Sequence, residues 1–402
     1  MVNRGYRYRL DPTATQAEEF ESFAGVCRLI YNLALEQRRD FHHQFRRSTG
    51  RSITYVSQAR ELTELRSQYD WIRAVSQTAQ QQALRDLDAA YRRFFDGVAA
   101  YPRPRRKGVN DAFRFQGREV SVRRLNRSWG SVKLPKIGDV RFRWTRPLPA
   151  SFKNVTVSRD ALGWHVSFSA EIEIEALLNR MPAVGIDRGV VHALALSDGK
   201  FIDAPRASLK KLNARARRHA QQVARCRRGS KRHGKAKDRL AATKAEAARV
   251  RRHFNHVASA GVVRAYGVVV MEALQVTNMT ASAKGTVESP GSNVRQKAGL
   301  NRSILEIGWS QLATFLTYKL VAAGGELRMI NPQHTSTACS CCGIVEKTHR
   351  KSQAVFECAS CGSAMNADTN AARNILQAGT RPARRPGKLS SPVKRESRQE
   401  AA

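Results

Sequence analysis

Polar and apolar residues alternate at the start of the chain. Tyr6, Tyr8 and Leu10 are separated by Arg7 and Arg9. A period of two residues is typical of a strand with one buried face, and the Asp-Pro pair that follows is expected to end it. The sequence therefore predicts an N-terminal strand.

Helical spacing replaces this alternation from position 13 onward. Thr15 and Glu18 have the spacing of a capping box, which predicts the start of a helix. Apolar residues then recur every three or four positions, at Phe20, Phe23, Ala24, Cys27, Tyr31 and Ala34 and again at Leu84, Leu87, Ala90, Tyr91 and Phe94. Residues 13–100 are therefore predicted to form a helical unit.

Short alternating segments return after position 101. Examples are residues 113–115, 140–144 and 165–168. They predict the strands of a small β-barrel. Because the N-terminal strand has no sheet partner among the helices, we expect it to join this barrel. Residues 1–12 and 101–180 then form the barrel, and the helical unit is an insertion into it.

The second half of the chain contains a long, strongly basic helical segment. Residues 206–252 carry 18 Lys or Arg and two acids, and they predict a helical hairpin over residues 206–256. A solvated coiled-coil surface is the alternative, but like-charge repulsion would destabilise such helices when free. We therefore expect the hairpin to face nucleic acid. Residues 277–300 predict a mobile lid loop, and residues 379–402 predict a disordered basic tail.

The net charge indicates the partner. Of 402 residues, 70 are Lys or Arg and 33 are Asp or Glu, which gives a formal charge of +37. Phosphate neutralisation with counterion release makes nucleic acid the expected partner. A structural protein of the ribosomal kind has the same composition, so charge alone leaves both functions open. The apolar fraction of 42% is sufficient for the cores of two or three domains.

Apolar runs of the length that a signal peptide or a membrane span requires do not occur in the sequence. The sequence therefore predicts a cytoplasmic protein with no membrane partner.

Carboxylates follow two strongly apolar segments. Asp187 follows residues 184–186, and Glu272 follows residues 268–271. An acid in a buried strand is costly unless a partner or a metal compensates it, so Asp187 requires a cation. Glu272 alone is equally well explained as a satisfied strand-end residue. Asp198 lies in a Ser-Asp-Gly turn and requires no cation.

A third acid, Asp368, lies at the predicted start of a helix. Taken alone it is best explained as a helix N-cap. Taken together, Asp187, Glu272 and Asp368 can converge on two Mg²⁺ ions about 3.5 to 4 Å apart, the arrangement that hydrolyses phosphodiester bonds. All three are therefore candidate catalytic residues and magnesium ligands.

Two C-x2-C pairs, each followed by glycine, stand between the second and third acids. Their cysteines are Cys339, Cys342, Cys358 and Cys361. This spacing predicts one structural zinc ion held by four thiolates in a ribbon over residues 335–365, with no position open to a substrate. Cys341 is left out because including it would break the knuckle spacing.

The order of these motifs resembles the TnpB family, the RNA-guided DNA endonucleases that insertion sequences encode and that are related to type V CRISPR effectors. The resemblance covers nearly the whole chain. It runs through Leu10-Asp11-Pro12, Arg28, Tyr31, Asn32, Leu35 and Tyr101-Pro102-Arg103 to the three acidic motifs. Its most specific parts are Thr335-Ser336 before the first cysteine pair and Asp368-x-Asn370-Ala371-Ala372-x-Asn374-Ile375 after the second.

The resemblance implies a RuvC-like nuclease domain of the RNase H fold over residues 181–378, with the three acids catalytic and the zinc ribbon inserted before the last. It implies that the wedge-like barrel and the helical recognition domain hold a guide RNA from the transposon end. The implied reaction is cleavage of double-stranded DNA beside a transposon-adjacent motif. We expect a protein associated with the bacterial or archaeal nucleoid, and a monomer is favoured although the sequence does not give the oligomeric state. The family often has Arg where this chain has Ala367 and an aromatic residue where it has His334, and both differences could alter activity.

Two basic clusters are predicted to contact nucleic acid, because phosphate contacts are made mainly by Arg and Lys. They comprise Arg103, Arg105, Arg106 and Lys107 after the helical unit, and Arg215, Arg217, Arg218, Arg225, Arg227 and Arg228 in the hairpin.

Three other functions compete with this interpretation. A nuclease-silent, RNA-guided repressor would lack a catalytic acid, and all three are present. A single-strand transposase needs a His-hydrophobic-His motif with a nucleophilic Tyr, which neither His42-His43 nor residues 253–256 provide. A zinc-ribbon binding protein without chemistry would leave Asp187 and Glu272 as unexplained costs.

Overall fold

A computed structural model describes residues 2–45, 50, 52–173, 179–286 and 288–381 of the chain. The chain divides into two compact units. The first comprises Met1–Ile174 and Arg215–Glu246, and the second comprises Glu175–Ala214 and Ala247–Ala402. Within the described ranges, no helix combines the length and the apolar character that crossing a bilayer requires.

Seven antiparallel strands form the sheet of the first unit. They are β1 (Val2–Asp11), β2 (Ala112–Gln116), β3 (Ser121–Arg124), β4 (Trp129–Leu134), β5 (Gly138–Arg143), β6 (Asn154–Asp160) and β7 (Gly163–Ile172). Their order is β2-β6-β7-β1-β5-β4-β3. The N-terminal strand is therefore central, with β7 on one side and β5 on the other.

Backbone hydrogen bonds do not close this sheet into the predicted barrel. Within the described residues, β2 and β3 are the end strands and do not pair with each other. Strand β1 joins two halves of the sheet because its ten residues are enough to pair first with β7 and then with β5. The alternation of the sequence is retained, since Tyr8 and Leu10 are buried whereas Arg9 is exposed.

Helices α1 (Ala14–Gln44), α2 (Tyr55–Gln68), α3 (Asp70–Ala74) and α4 (Gln77–Phe95) lie between β1 and β2 in the chain. The capping box of α1 is two residues earlier than predicted. The Thr13 hydroxyl accepts the Gln16 N–H, and Gln16 Oε1 accepts the Thr13 N–H, each at 3.2 Å. Thr13 has the extended backbone of an N-cap directly after Pro12, so Thr15 already lies inside the helix.

A second sheet lies in the second unit. Its strands are β8 (Ala183–Asp187), β9 (Leu194–Leu196), β10 (Phe201–Ile202), β11 (Val268–Glu272) and β12 (Glu326–Ile330). Their order is β10-β9-β8-β11-β12, in which β8, β11 and β12 run parallel and the other neighbours are antiparallel. Val184, Ile186, Val269 and Val270 are fully buried, as expected of strands covered on both faces.

The helices that follow β10 in the chain are α5 (Arg206–Arg225), α6 (Lys231–Ala265), α7 (Val276–Met279), α8 (Val294–Ile307), α9 (Trp309–Ala322) and α10 (Ala367–Thr380). Three of them, α6, α9 and α10, pack against this sheet. Val184 and Ile186 share a core with residues of α6 and α9. Gly185, between them, faces α10, because successive residues of a strand point to opposite faces.

The basic hairpin consists of α5 and α6, and α6 extends to Ala265, beyond the predicted end at residue 256. The whole hairpin lies within residues 181–378, the predicted nuclease domain, but Arg215–Glu246 groups with the first unit. A helix of 35 residues is roughly 52 Å long, much longer than a five-residue strand. Only its C-terminal end, with Ala258 and Val262, enters the core of the second sheet.

The predicted lid loop is shorter than expected. Helix α8 begins at Val294, inside the predicted 277–300 loop, because Ile304 and Ile307 bury one face of the segment. The preceding residue, Asn293, has the left-handed backbone (φ 52°) that ends the loop. The predicted tail begins after α10, and residues 382–402 lie outside the described residues.

Candidate active site

Two of the predicted acids end neighbouring parallel strands. Asp187 is the last residue of β8, and Glu272 is the last residue of β11. The register pairs Ile186 with Met271, so the two acids occupy the next position on each strand. Because the strands are parallel, both carboxylates lie at the same edge of the sheet, where ligands bind in open α/β sheets.

Helix α10 brings the third acid to this edge. Gly185 allows the close approach, since a Cβ at this position would lie 2.1 Å from the Ala372 carbonyl oxygen. Asp368 is not the N-cap that its position in the sequence indicated. Asn366 caps the helix, accepting the N–H groups of Asp368 and Thr369 at 2.9 and 3.3 Å. The Asp368 carboxylate is therefore released from capping and lies 9% exposed in the first turn.

The three carboxylates interact through their charges. Burial, and then the charges of Glu272 and Asp368, raise the pKa of Asp187 from 3.8 to about 7. Among the described residues, the three acids do not all lie within 4.8 Å of one another. Their spacing therefore exceeds the ligand shell of a single ion.

Two further side chains, which sequence reasoning did not assign to the site, contact these acids. The Thr335 hydroxyl donates to Glu272 Oε1 at 2.6 Å. Arg350 Nη2 lies 3.3 Å from Asp368 Oδ1, in an ion pair in which the arginine side chain is 30% exposed. Both residues belong to the predicted ribbon segment, so the ribbon contributes directly to the surroundings of the acids.

A third neighbour is Arg188, directly after Asp187. Its side chain is buried, and its Nη2 donates to the backbone oxygen of Glu272. Asp198, by contrast, accepts hydrogen bonds from Tyr266 at 2.6 Å and from the Lys200 side chain at 2.8 Å. This agrees with its interpretation as a satisfied turn residue.

The four cysteines of the C-x2-C pairs form one cluster, with their sulfur atoms all within 4.8 Å of one another. Cys339 and Cys358 are buried, whereas the second cysteine of each pair is exposed. Gly343 and Gly362 follow the pairs with φ of 80° and 70°, and each donates its N–H to the carbonyl of the first cysteine at 2.9 Å. These left-handed turns explain why each pair is followed by glycine. Cys341, which the sequence analysis left out, is not in the cluster.

The cysteine-containing segment is anchored to helix α10, both by the hairpin between the pairs and by the loop of the first pair. A hairpin of β13 (Val355–Glu357) and β14 (Ala364–Asn366) leads into the helix. Asn370 donates to the Ala338 carbonyl at 2.8 Å and accepts the Ser340 N–H at 2.9 Å. Asn374 donates to the carbonyls of Thr335 and Ala338 at 2.9 and 2.7 Å. The two motif asparagines therefore tie the first cysteine loop to the helix that carries Asp368.

The predicted nucleic-acid contacts fall into two groups. Arg105 and Arg215 form ion pairs within the protein: Arg105 pairs with Asp86 at 2.9 Å and stacks on Tyr31, and Arg215, whose side chain is partly exposed, pairs with Glu246. The other predicted residues are exposed, namely Arg103, Arg106, Lys107, Arg217, Arg218, Arg225, Arg227 and Arg228. Five basic residues of the hairpin line a cavity of about 630 Å³, namely Arg225, Arg227, Arg232, Lys235 and Arg239.

An arginine–tryptophan cluster on the first sheet was not foreseen. The guanidinium carbons of Arg143 and Arg141 lie 4.1 and 4.4 Å from the centroid of the Trp129 ring. Arg143 is the direct cross-strand partner of Trp129. Both arginines are exposed. The cluster depends on strand register, which the alternating pattern alone does not give.

Three family models match the chain. Residues 167–283 match the model described as "Probable transposase", residues 309–375 match "Cas12f1-like, TNB domain", and residues 1–47 match "Helix-turn-helix domain". Within the last region, described residues 2–45 form strand β1 and the single helix α1.

Relatives match over nearly the full length. The chain is 36% identical over 380 residues to the "Putative RNA-guided DNA endonuclease InsQ" of Escherichia coli (strain K12), covering 94% of this chain and 92% of that protein. It is 33% identical over 388 residues to a "Putative RNA-guided DNA endonuclease" of Streptomyces pristinaespiralis, covering 94% of this chain and 90% of that protein.

The fold also matches a solved structure. The chain superposes on the protein of a Cas12f1–sgRNA–target DNA complex with a TM-score of 0.59 and 15% identity, covering 90% of this chain and 83% of that one.

Proposed function

Since the chain belongs to the TnpB family, we propose that it is an RNA-guided endonuclease that cleaves double-stranded DNA beside a transposon-adjacent motif. Its catalytic acids are Asp187, Glu272 and Asp368, on a RuvC-like domain of the RNase H fold. The observation that carries this proposal is the convergence of three carboxylates from two strand ends and one helix. Their mutual repulsion at a partly buried site is unfavourable for folding, and it is explained if they bind cations.

The donor set fits magnesium. Carboxylate oxygens are the ligands that this hard cation prefers, and Asp187, Glu272 and Asp368 supply them at one sheet edge. These three residues would hold a pair of Mg²⁺ ions, whose chemistry would be activation of a water molecule and stabilisation of the leaving oxygen of the phosphodiester.

The protein's own side chains orient this donor set. The Thr335 hydroxyl holds one oxygen of Glu272 and leaves the other oxygen available as a ligand. Arg350, partly exposed beside Asp368, is placed to donate to a phosphate oxygen of the DNA strand.

The cysteine cluster fits a structural zinc ion. Its four sulfur atoms match the ligand number of a tetrahedral zinc site, and they leave no coordination position for a substrate. Zinc at this position would fix the loop that carries Thr335 and the segment that carries Arg350. Its contribution to cleavage would therefore be indirect.

Guide RNA and target DNA are the proposed partners. The charge of +37 requires a polyanion, and the exposed basic residues of the hairpin supply phosphate contacts. Trp129, Arg141 and Arg143 form a second surface for nucleic acid on the first unit. Stacking on the indole ring holds both guanidinium groups in position to contact phosphate groups. Base pairing between guide and target would supply sequence specificity.

The test begins with the RNA. The chain is expressed from DNA that retains the transposon end, the ribonucleoprotein is purified, and the bound RNA is sequenced, because its 3′ segment names the target. A plasmid with that target and a library of flanking sequences is then incubated with Mg²⁺. We expect cleavage beside one flanking motif by wild type, and binding without cleavage by Asp187→Ala, Glu272→Ala and Asp368→Ala.

Two outcomes would contradict the proposal. Cleavage by all three variants at the wild-type rate would place the nuclease elsewhere. Target binding by the wild type with no cleavage in Mg²⁺ would favour an RNA-guided repressor on the same fold.

A further inference from the structure

Arg188 is a buried cation with an unusual set of partners. Its side chain is 6% exposed, and it lies on the turn between β8 and β9, directly after Asp187. Burying a guanidinium group is costly unless a charge compensates it. Yet within the described residues no carboxylate forms an ion pair with Arg188, and its Nε has no hydrogen-bond partner. Its position therefore calls for an explanation other than a simple salt bridge.

The contacts of Arg188 hold the guanidinium beside the acids without occupying their oxygen atoms. Its Nη2 donates to the backbone carbonyl of Glu272, not to the carboxylate. Its guanidinium carbon lies 5.8 Å from the centroid of the Trp309 ring, which is 4% exposed. The positive charge is therefore fixed near Asp187 and Glu272 without a hydrogen bond from Arg188 to either carboxylate.

Arg350 provides the contrast. It approaches Asp368 directly, at 3.3 Å, and its side chain is partly exposed. A ligand that binds Asp368 must displace or rearrange this ion pair. No such displacement is needed at Arg188, because the backbone carbonyl and the indole ring hold its guanidinium.

We propose that Arg188 is a positioning residue that acts as a resident counter-cation: its fixed charge holds Asp187 and Glu272 together before metal binds and sets their affinity for divalent cations. This inference rests on the proposed function, because it requires the acids to be metal ligands. Burial lowers the pKa of Arg188, and the charges of Glu272 and Asp187 offset only part of that shift.

The proposal predicts effects of opposite sign. Arg188→Met removes the charge and keeps an unbranched apolar side chain. Without Mg²⁺ the variant ribonucleoprotein should melt at a lower temperature than wild type, because the acids lose their counter-charge. With Mg²⁺ the stabilisation by metal should be larger, and the Mg²⁺ concentration giving half-maximal stabilisation should fall roughly threefold or more, because one repelling positive charge is gone. A residue with only a packing role would lower stability and metal affinity together.

The experiment measures melting temperature against Mg²⁺ concentration for the ribonucleoprotein, in buffers without chelators that would strip the cysteine site. Arg188→Lys keeps the charge and should retain a wild-type Mg²⁺ midpoint even if it melts earlier. Arg328→Met removes one positive charge from a half-buried position on β12 of the same sheet, where Arg328 pairs with Glu326, and it should leave the midpoint unchanged.

The outcomes separate two failures. If wild type shows no Mg²⁺-dependent stabilisation and no cleavage, the proposed function fails. If wild type responds to Mg²⁺ but Arg188→Met has the same or a higher midpoint, or Arg188→Lys shifts it as far as Arg188→Met does, the counter-cation role is wrong. If Arg188→Met does not fold, the test depends on Arg188→Lys alone. A threefold fall in its Mg²⁺ midpoint, the shift expected for Arg188→Met, would refute the proposal, and an unchanged midpoint would support it.

Discussion

Replacing Asp187 with asparagine should abolish cleavage and, at the same time, stabilise the magnesium-free protein. Burial and the charges of Glu272 and Asp368 raise the pKa of Asp187 from 3.8 to about 7. The folded state therefore holds a proton that the unfolded chain releases at lower pH. For an acid shifted in this direction, stability is highest below about pH 4 and falls as pH rises to about 7.

The size of the effect follows from this shift. Raising the pKa from 3.8 to about 7 corresponds to roughly 4 kcal/mol of destabilisation above pH 7, and this is a ceiling. Relaxation of the site should reduce it to about 2 kcal/mol. In a domain of this size, 2 kcal/mol corresponds to roughly 4 to 8 °C in melting temperature. Asp187→Asn, which cannot ionise, should melt higher than wild type by that amount at pH 8 and by little at pH 4.

The assay is thermal melting of the ribonucleoprotein in Mg²⁺-free buffer from pH 4 to 8, with cleavage measured in parallel. Asp198→Asn is the matched control in the same sheet. Burial would raise the pKa of Asp198, but hydrogen bonds from Lys200 and Tyr266 outweigh it and hold the pKa below its ordinary value. Asp198→Asn should therefore melt lower than wild type at neutral pH and still cleave. If Asp187→Asn melts lower at pH 8, the acids are not in repulsion and our account of the site is wrong.

Three further changes test the ribbon and the basic surface. Cys358→Ser should release one zinc ion per chain, measured by elemental analysis, whereas Cys341→Ser should release none; the reverse pattern would move the ligand assignment. Asn370→Ala removes two hydrogen bonds made by a buried side chain, and it should lower the free energy of unfolding by about 1 to 3 kcal/mol. The variant should keep its zinc but cleave more slowly. Cleavage at the wild-type rate would refute the link between the first cysteine loop and the helix that carries Asp368. Arg227→Glu should weaken RNA binding in gel shifts more than Arg215→Glu does, because Arg215 is already paired with Glu246. An equal loss of RNA affinity in the two variants would contradict this prediction.

Local patterns were sufficient to predict the elements that carry the first two acids. The apolar runs before Asp187 and Glu272 form β8 and β11, because a strand covered on both faces needs a continuous run of apolar residues. The cysteine cluster was equally predictable, since each pair and its glycine form one local turn. These features depend on neighbours within a few residues.

Contacts between distant segments were not predictable. Thr335 and Glu272 are 63 residues apart, and they meet only because of the path of the ribbon. The N-cap interpretation of Asp368 was wrong because Asn366, two residues earlier, has the same capping chemistry and takes that position. Sequence spacing does not decide between two capping residues so close together. The three-dimensional fold does, and it leaves Asp368 available to the site.

The hydrogen bonds of helix α10 explain how a closed cysteine site can affect catalysis. The helix carries Asp368 in its first turn, and Asn370 and Asn374 follow later in the same helix. Asn374 holds the carbonyl of Thr335, whose hydroxyl holds Glu272. Two of the three acids are therefore positioned through the same loop, the one that ends in the first cysteine pair. Loosening that loop would move Glu272 and Asp368 relative to each other while Asp187 stayed fixed on its strand, so the ribbon affects cleavage through geometry and not through a ligand position of its own.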